Sequence, residues 1–414
     1  MSSQRKFDLI LWGATGFTGR LVAQYLATAP SAAGLRWAIA GRNRDKLQRV
    51  RDELALGDTE VLTGDATDAE SLRALARESR VVCTTVGPYA RYGSELVAAC
   101  VAEHTHYCDL TGEVPWIREM IDRHHDDAAA SGTRIVHCCG FDSIPSDMGV
   151  FMLHESMKAR GEQLAKVDAF AGESKGKLSG GTFASMLGIA DAARRDARVR
   201  KVLGDPYALD PSPRRGGPDG ADARGISYDK RLGKWTAPFV MAAINTRVVR
   251  RSNAVAGYPY GEQFRYSERM SLPGGLKGMA AAGAIAGGLL GLLVATQLPL
   301  VRPWLENKMP KPGEGPSKAE REAGFFVMRL LGESTTGTSL VATVSHNRDP
   351  GYGSTSVMLA ESALCLAKDP LQTAGGLLTP ASALGVHLLE RLQEAGMTWM
   401  VVDDLSASRV ARAA

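Results

Sequence analysis

Cysteine is scarce and unpatterned in this chain. Six occur in 414 residues and none forms a Cys-x-x-Cys pair, which removes the usual dithiol and zinc-ribbon signatures and points to a reducing, cytosolic compartment. A charge excess of one sign is also missing. Lys and Arg number 49 against 45 Asp and Glu, a formal net charge of +4, and no basic stripe carries interleaved aromatics, so nucleic acid is not an expected partner. No apolar signal core precedes the first strand-like run, because MSSQRKFD leads straight into it. A cytoplasmic protein is expected.

Glycine, by contrast, is plentiful, and three copies are placed with purpose. In FDLILWGATGFTGRLVAQYL the apolar run Phe7 to Trp12 suits a strand buried on both faces, while Leu21, Val22, Tyr25 and Leu26 recur at helical spacing. Gly13, Gly16 and Gly19 therefore sit in a strand-to-helix turn. They allow a tight turn, close approach of a ligand and close helix packing, leaving N–H groups of the helix start to face a pyrophosphate. Thr15, Phe17 and Thr18 complete that loop as candidate cofactor-binding residues.

The second strand, ending at Gly41, lacks the Asp or Glu that commonly meets a ribose 2′-hydroxyl. Arg42, Asn43, Arg44 and Lys46 follow instead. Cations there suit a 2′-phosphate, so NADPH is the expected cofactor rather than NADH. EVLTGDATD reads as a third strand with Asp65 and Ala66 just beyond it, in reach of an adenine. VVCTTVGPYARYG reads as a fourth, bringing Val86, Gly87, Pro88 and Tyr89 to the ligand end of the sheet. Two further runs, THYCDL and RIVHCCGFD, flank a helix from Val114 to Ala130. The fold class is α/β, with residues 1–145 forming a Rossmann-type doubly wound sheet of about six strands.

His104, His106, Cys108, His137, Cys138 and Cys139 invite a metal reading. Adjacent cysteines on a strand point to opposite faces, however, and buried thiols are ordinary core residues, so no metal is expected.

The second half is less sharply patterned. KVDAFAGESK reads as a strand followed by a helix starting near Ser179 to Thr182, and KWTAPFVMAAINTRVVRRS, GFFVMRLLGE and TSLVATVSHN have the β-branched content of strands. GDPYALDPSPRRGGPDGADARG, rich in Pro and Gly, reads as a mobile surface loop. From Gly278 to Val301 runs an uncharged stretch long enough to span a bilayer, with Gly283, Gly287 and Gly291 at G-x-x-x-G spacing. A true span is disfavoured, because the strand-like runs after it look needed by the same sheet. A helical hairpin or homodimer contact and a peripheral element dipping into the inner face of a membrane both remain open, with a helix broken near Pro299 in either case.

GATGFTGRL, AGRNRDKL, VGPYARYG, DLTGE and GFDSIPSD, together with GPSKAEREAGFF, DPGYGSTSVMLAESAL and GGLLTPASALG, resemble the saccharopine dehydrogenase-like oxidoreductases, most closely their bacterial branch of trans-acting enoyl reductases. The likeness runs through almost the whole chain. It implies an NADP(H)-linked Rossmann domain, a second α+β domain at 146–353, and a C-terminal helical segment at 354–414 that packs back on the first. It also implies reduction of an α,β-unsaturated, lipid- or polyketide-type acyl substrate, free or carrier-bound. Two alternatives stand beside it: a saccharopine-type imine reductase acting on an amino-acid adduct, and a non-catalytic NADP(H)-containing, lipid-associated binding protein.

Chemistry narrows these somewhat. Short-chain dehydrogenases that reduce ketones place a Lys four residues after a Tyr, and none of the ten tyrosines here has one. Enoyl reduction needs only a hydride, a donor to the developing enolate oxygen and a proton for the α-carbon. Tyr89, Asp142 and Ser143 are the candidate catalytic residues, with Tyr89 expected as donor and Asp142 or Ser143 as substrate-positioning groups. Tyr92, three residues after Tyr89, is expected at the same mouth.

Overall fold

The computed structural model describes residues 5–176, 180–213, 215–296, 301 and 315–405. Six strands come first: β1 Phe7–Trp12, β2 Trp37–Gly41, β3 Glu60–Thr63, β4 Ser79–Thr84, β5 His106–Cys108 and β6 Arg134–Val136. A second group follows with β7 Leu164–Lys175, β8 Ser227–Asp229, β9 Lys234–Pro238, β10 Arg265–Leu272, β11 Phe325–Ser334 and β12 Ser339–His346. Two short strands, β13 Gly376–Leu378 and β14 Thr398–Val402, close the list.

They make two seven-stranded sheets. The first, in the order β13-β6-β5-β4-β1-β2-β3, is parallel throughout. Strand β1 shows why. Leu9 and Leu11 enter one core and Ile10 and Trp12 the other, so a strand without a polar face needs helices on both sides. The helix Thr355–Lys368 covers the face of β1, β4 and β5, buried along nearly its whole length and packed on the helix Phe17–Thr28. Strand β13 is a seventh strand where six were expected, and it pairs with β6 across some 240 positions of sequence. The C-terminal segment thus returns to the Rossmann sheet, and it goes further than expected by giving β14 to the other one.

The glycine turn is demanded by the backbone. Gly13 has φ +94°, and a Cβ on Gly19 would stand 2.2 Å from the carbonyl oxygen of Gly13. Only glycine lets that helix lie so close to the strand.

The second sheet is mixed, in the order β14-β12-β11-β7-β10-β9-β8. Strands β10 and β11 both flank β7. The chain before and after the apolar segment therefore lies in one sheet, which rules out a single membrane crossing between them. The segment itself is a helix, Gly275–Ala295, packed against β9 and β10. The expected break at Pro299 lies outside the described residues.

Two expectations are corrected. KWTAPFVMAAINTRVVRRS is not one strand: it forms β9 and then a helix, Ala242–Val255. Its β-branched residues suggested a strand, yet tertiary burial wraps the helix almost completely, and its polar residues bond across to other segments. The Pro- and Gly-rich stretch after Gly204 is irregular but is pinned rather than a loose surface loop. Arg118 donates to the carbonyls of Ala208 and Asp210, Arg250 to that of Pro206, and Arg251 to that of Leu209. Asp219 and Asp222 pair with Arg250 and Arg247. Buried guanidinium groups here hold a segment that has no ladder of its own.

Candidate active site

A cavity of about 1260 Å³ opens at the carboxyl ends of β1 to β4, where ligands of open parallel sheets bind. Gly13, Thr15, Gly16, Phe17 and Thr18 form its floor, with Gly41 and Arg42 at the end of β2, Asp65 and Ala66 after β3, and Val86, Gly87 and Tyr89 after β4. The helix Phe17–Thr28 begins at Gly16 with no side-chain cap, so the N–H groups of its first turn remain available to an anion. A Cβ on Gly16 would meet nothing nearer than the Gly13 carbonyl oxygen at 3.4 Å. Packing does not require that glycine, whereas a pyrophosphate laid across the turn would.

Arg42 is exposed at this wall and forms no salt bridge among the described residues. Asp65 accepts 2.8 Å bonds from the amide and hydroxyl of Thr67, and these hold its carboxyl below the ordinary range. The remaining candidate cofactor residues do not line the cavity. Gly19 lies under the turn. Asn43 caps the helix Arg44–Glu53 by accepting from the Lys46 amide at 2.8 Å, Lys46 is exposed, and Pro88 precedes the short helix Tyr89–Tyr92.

Tyr89 lines the cavity with its ring stacked near Trp116, 5.6 Å between centroids. Its hydroxyl faces backbone, 3.3 Å from the Thr84 carbonyl oxygen and 3.4 Å from the Leu110 amide, and burial pushes the phenol well above its usual range. Ser143 is buried away from the cavity and donates to Asn245 Oδ1 at 3.0 Å. Asp142 is different. It is half-buried on the cavity wall, has no hydrogen-bond partner among the described residues, and burial alone pushes its carboxyl up to about 6. Tyr92 lines the cavity as well.

Beyond Tyr89 and Asp142 the walls turn apolar. Phe183, Met186 and Ile189 come from the helix Gly180–Arg195, Ile244 from Ala242–Val255, and Leu289 and Leu292 from Gly275–Ala295. The glycine turn and the apolar helix, some 260 positions apart in sequence, line one space.

Sequence reasoning missed two residues that hold this arrangement. Glu113, inside DLTGE, is buried and accepts from the amides of Tyr89 and Ala90, at 2.8 and 2.9 Å, and from Ser185 Oγ at 2.7 Å. It fixes the loop after β4 and ties it to the helix Gly180–Arg195. Tyr352, inside DPGYG, sets its ring edge-on to Phe17 at 4.8 Å. Both lay within quoted motifs, but only the folded chain shows what they touch.

Of that cluster, His137 and His106 have other partners and the cysteines are buried. His137 Nδ1 is 2.8 Å from Asp109, which also accepts from Tyr107 and the Thr111 amide. His106 Nδ1 accepts from the Arg134 amide, and its burial pulls the imidazole down to about 4. Among the described residues no three such side chains converge as a metal site.

A parallel sheet, an uncapped glycine turn at its carboxyl ends and an exposed arginine after β2 with no salt bridge among the described residues fit an NADP(H)-binding Rossmann oxidoreductase. Residues 9–136 match the saccharopine dehydrogenase NADP binding domain. The chain belongs to the trans-acting enoyl reductase family of saccharopine dehydrogenase-like proteins. It is similar to a candidate trans-acting enoyl reductase of Mycobacterium tuberculosis, 44% identical over 417 residues that cover 96% of this chain and 98% of that protein. The trans-acting enoyl reductase of Mycobacterium ulcerans is 42% identical over 416 residues, covering 96% and 98%. Among solved structures, apo saccharopine dehydrogenase (L-Glu forming) of Saccharomyces cerevisiae shares the fold, with a TM-score of 0.51 at 12% identity over 95% of this chain and 99% of that one.

Proposed function

We propose that this NADPH-dependent oxidoreductase reduces the carbon–carbon double bond of an α,β-unsaturated acyl group, presented free or on a carrier. The observation that supports this most is the cavity in which a dinucleotide turn meets apolar walls, since such walls suit an acyl chain, while Arg194, Arg200 and Arg224 stand at its exposed rim. The names of the mycobacterial relatives agree with it.

NADPH, when bound, supplies the hydride for the β-carbon. The chain's residues do the rest. The helix start at Gly16 and Arg42 would hold its phosphates, and the apolar side chains of the three walling helices would exclude water from the acyl group. Reduction then requires a proton for the α-carbon. Asp142 suits that role better than Tyr89, because its carboxyl has no competing partner among the described residues and is held partly protonated near neutrality. Tyr89, with its hydroxyl turned to backbone, serves as a ring that shapes the site. Ser143 holds Asn245 behind it.

The test is oxidation of NADPH by the purified protein on adding a soluble α,β-unsaturated acyl thioester, with the saturated thioester identified by mass spectrometry. Binding of NADPH without oxidation, across short and long acyl chains, would leave the non-catalytic reading standing instead.

A further inference from the structure

The helix Gly275–Ala295 presents four of its large apolar side chains outward. Leu276, Leu290 and Val294 are 79%, 64% and 52% exposed, and Met279 is exposed as well. At 3.6 residues per turn these four fall within about 60° of arc, one face of the helix. Gly283 and Gly287 lie on that face, and a Cβ at either would meet no described atom within 4 Å. Another side of the helix packs on β9 and β10, and Ala282, about 60° beyond Met279 in arc, is fully buried.

Cations stand beside this face. Residues that both line the cavity and are exposed mark its rim, and among them are Leu290, Arg194, Arg200 and Arg224. Arg194 pairs with Asp191, but Arg200 and Arg224 form no salt bridge among the described residues. Lys277 is exposed as well, but it lies about 100° round the helix from Leu276, off this face.

We propose that this face and its cationic rim dock on an anionic lipid surface, so that the cavity opens toward the acyl layer of a bilayer. The proposal rests on the reading of the cavity as an acyl site and adds where the acyl chain enters. An uncharged helix lying in the interface with basic residues at its edge is the arrangement that binds acidic lipids. A second copy of the chain fits less well. A two-fold contact through the same patch would present only another copy of that cationic rim and no anion to Arg200 and Arg224. An acidic carrier protein would meet the arginines but leave the apolar face in water.

The test uses the full chain with vesicles of phosphatidylcholine alone or mixed with phosphatidylglycerol. Co-sedimentation is expected with the mixed vesicles, falling as salt rises from about 0.1 to about 0.5 M. The double substitution Leu276→Glu and Val294→Glu, at positions outside the cavity lining, should lower the bound fraction by about tenfold. NADPH fluorescence on binding should stay unchanged, which separates lost docking from lost folding. Undiminished co-sedimentation of the double variant overturns the proposal. So does failure of the unaltered protein to bind mixed vesicles, whether it then proves to be a dimer that the substitutions dissociate or is retained only by an acidic acyl carrier protein. Turnover of a soluble thioester, measured in parallel, keeps the two readings apart: turnover without vesicle binding removes the docking surface alone, and vesicle binding without turnover removes enoyl reduction alone.

Discussion

Replacing Asp142 with Asn keeps the shape of the cavity wall and removes one ionisable proton. With the carboxyl at about 6, about half of the enzyme carries that proton at pH 6, about a tenth at pH 7 and about a hundredth at pH 8. A step needing protonated Asp142 should therefore show kcat/KM flat below about pH 6 and falling tenfold per pH unit above it. The Asp142→Asn variant should lose about a hundredfold or more of the rate at pH 6, the usual contribution of a placed general acid, and the slope should vanish with it. NADPH affinity should change little, because Asp142 follows β6 and is not part of the glycine turn or the loops after β2 and β3 assigned to the phosphates. The assay is NADPH oxidation against a soluble α,β-unsaturated thioester from about pH 5 to about pH 9, with NADPH binding measured separately. A variant that kept the original rate and the original slope would refute the assignment and turn attention to Tyr92 or to solvent.

Other consequences are open to measurement. Arg42→Asp should reverse or erase the preference for NADPH over NADH, by about 1 to 3 kcal/mol, because one charge pair is exchanged for repulsion of the 2′-phosphate; equal affinities in the unaltered protein would refute it. Gly16→Val should abolish NADPH binding with little change in melting temperature, whereas Gly19→Val should destabilise the fold, since its Cβ would sit 2.2 Å from the Gly13 carbonyl; calorimetry and thermal melts distinguish the two. Glu268 and Asp147 are buried, and burial pushes each up to about 7. Their folded-state values lie above their unfolded ones, so the native chain holds protons that the unfolded chain releases. Stability should thus fall as pH rises from about 4.5 to about 7 and level off above it, with Glu268→Gln flattening part of that slope in denaturant titrations at several pH values.

The parts of the fold legible in sequence are those where local pattern and burial agree. The run from Phe7 to Trp12 has no polar face, so it had to be a central strand, and the turn after it could be read because Gly13 answers to its own left-handed backbone and Gly19 to the Gly13 carbonyl six residues away. The helix Ala242–Val255 was hidden by the opposite circumstance. Asn245, Arg247, Arg250 and Arg251 are buried against distant carbonyls and side chains, so neither its apolar spacing nor its charge announces which face is inward. Strand β13 spans three residues and becomes a strand only beside β6. In the site, Arg42 was readable from the absence of an acid at the end of β2. The roles of Glu113 and Tyr352 depend on Ser185 and Phe17, partners that no spacing rule links to them.

The helix Thr355–Lys368 and the strand β13 have a consequence for biosynthesis. The nucleotide-binding sheet takes its first strand from residue 7 and its last from residue 378, so a ribosome must release most of the chain before that sheet has all its strands and its cover. Until then the face of β1, β4 and β5 that this helix shields is bare and apolar, a stretch of time in which chaperones have something to hold. A chain halted before residue 355 would carry every residue of the glycine turn and still lack the surface on which its strand rests.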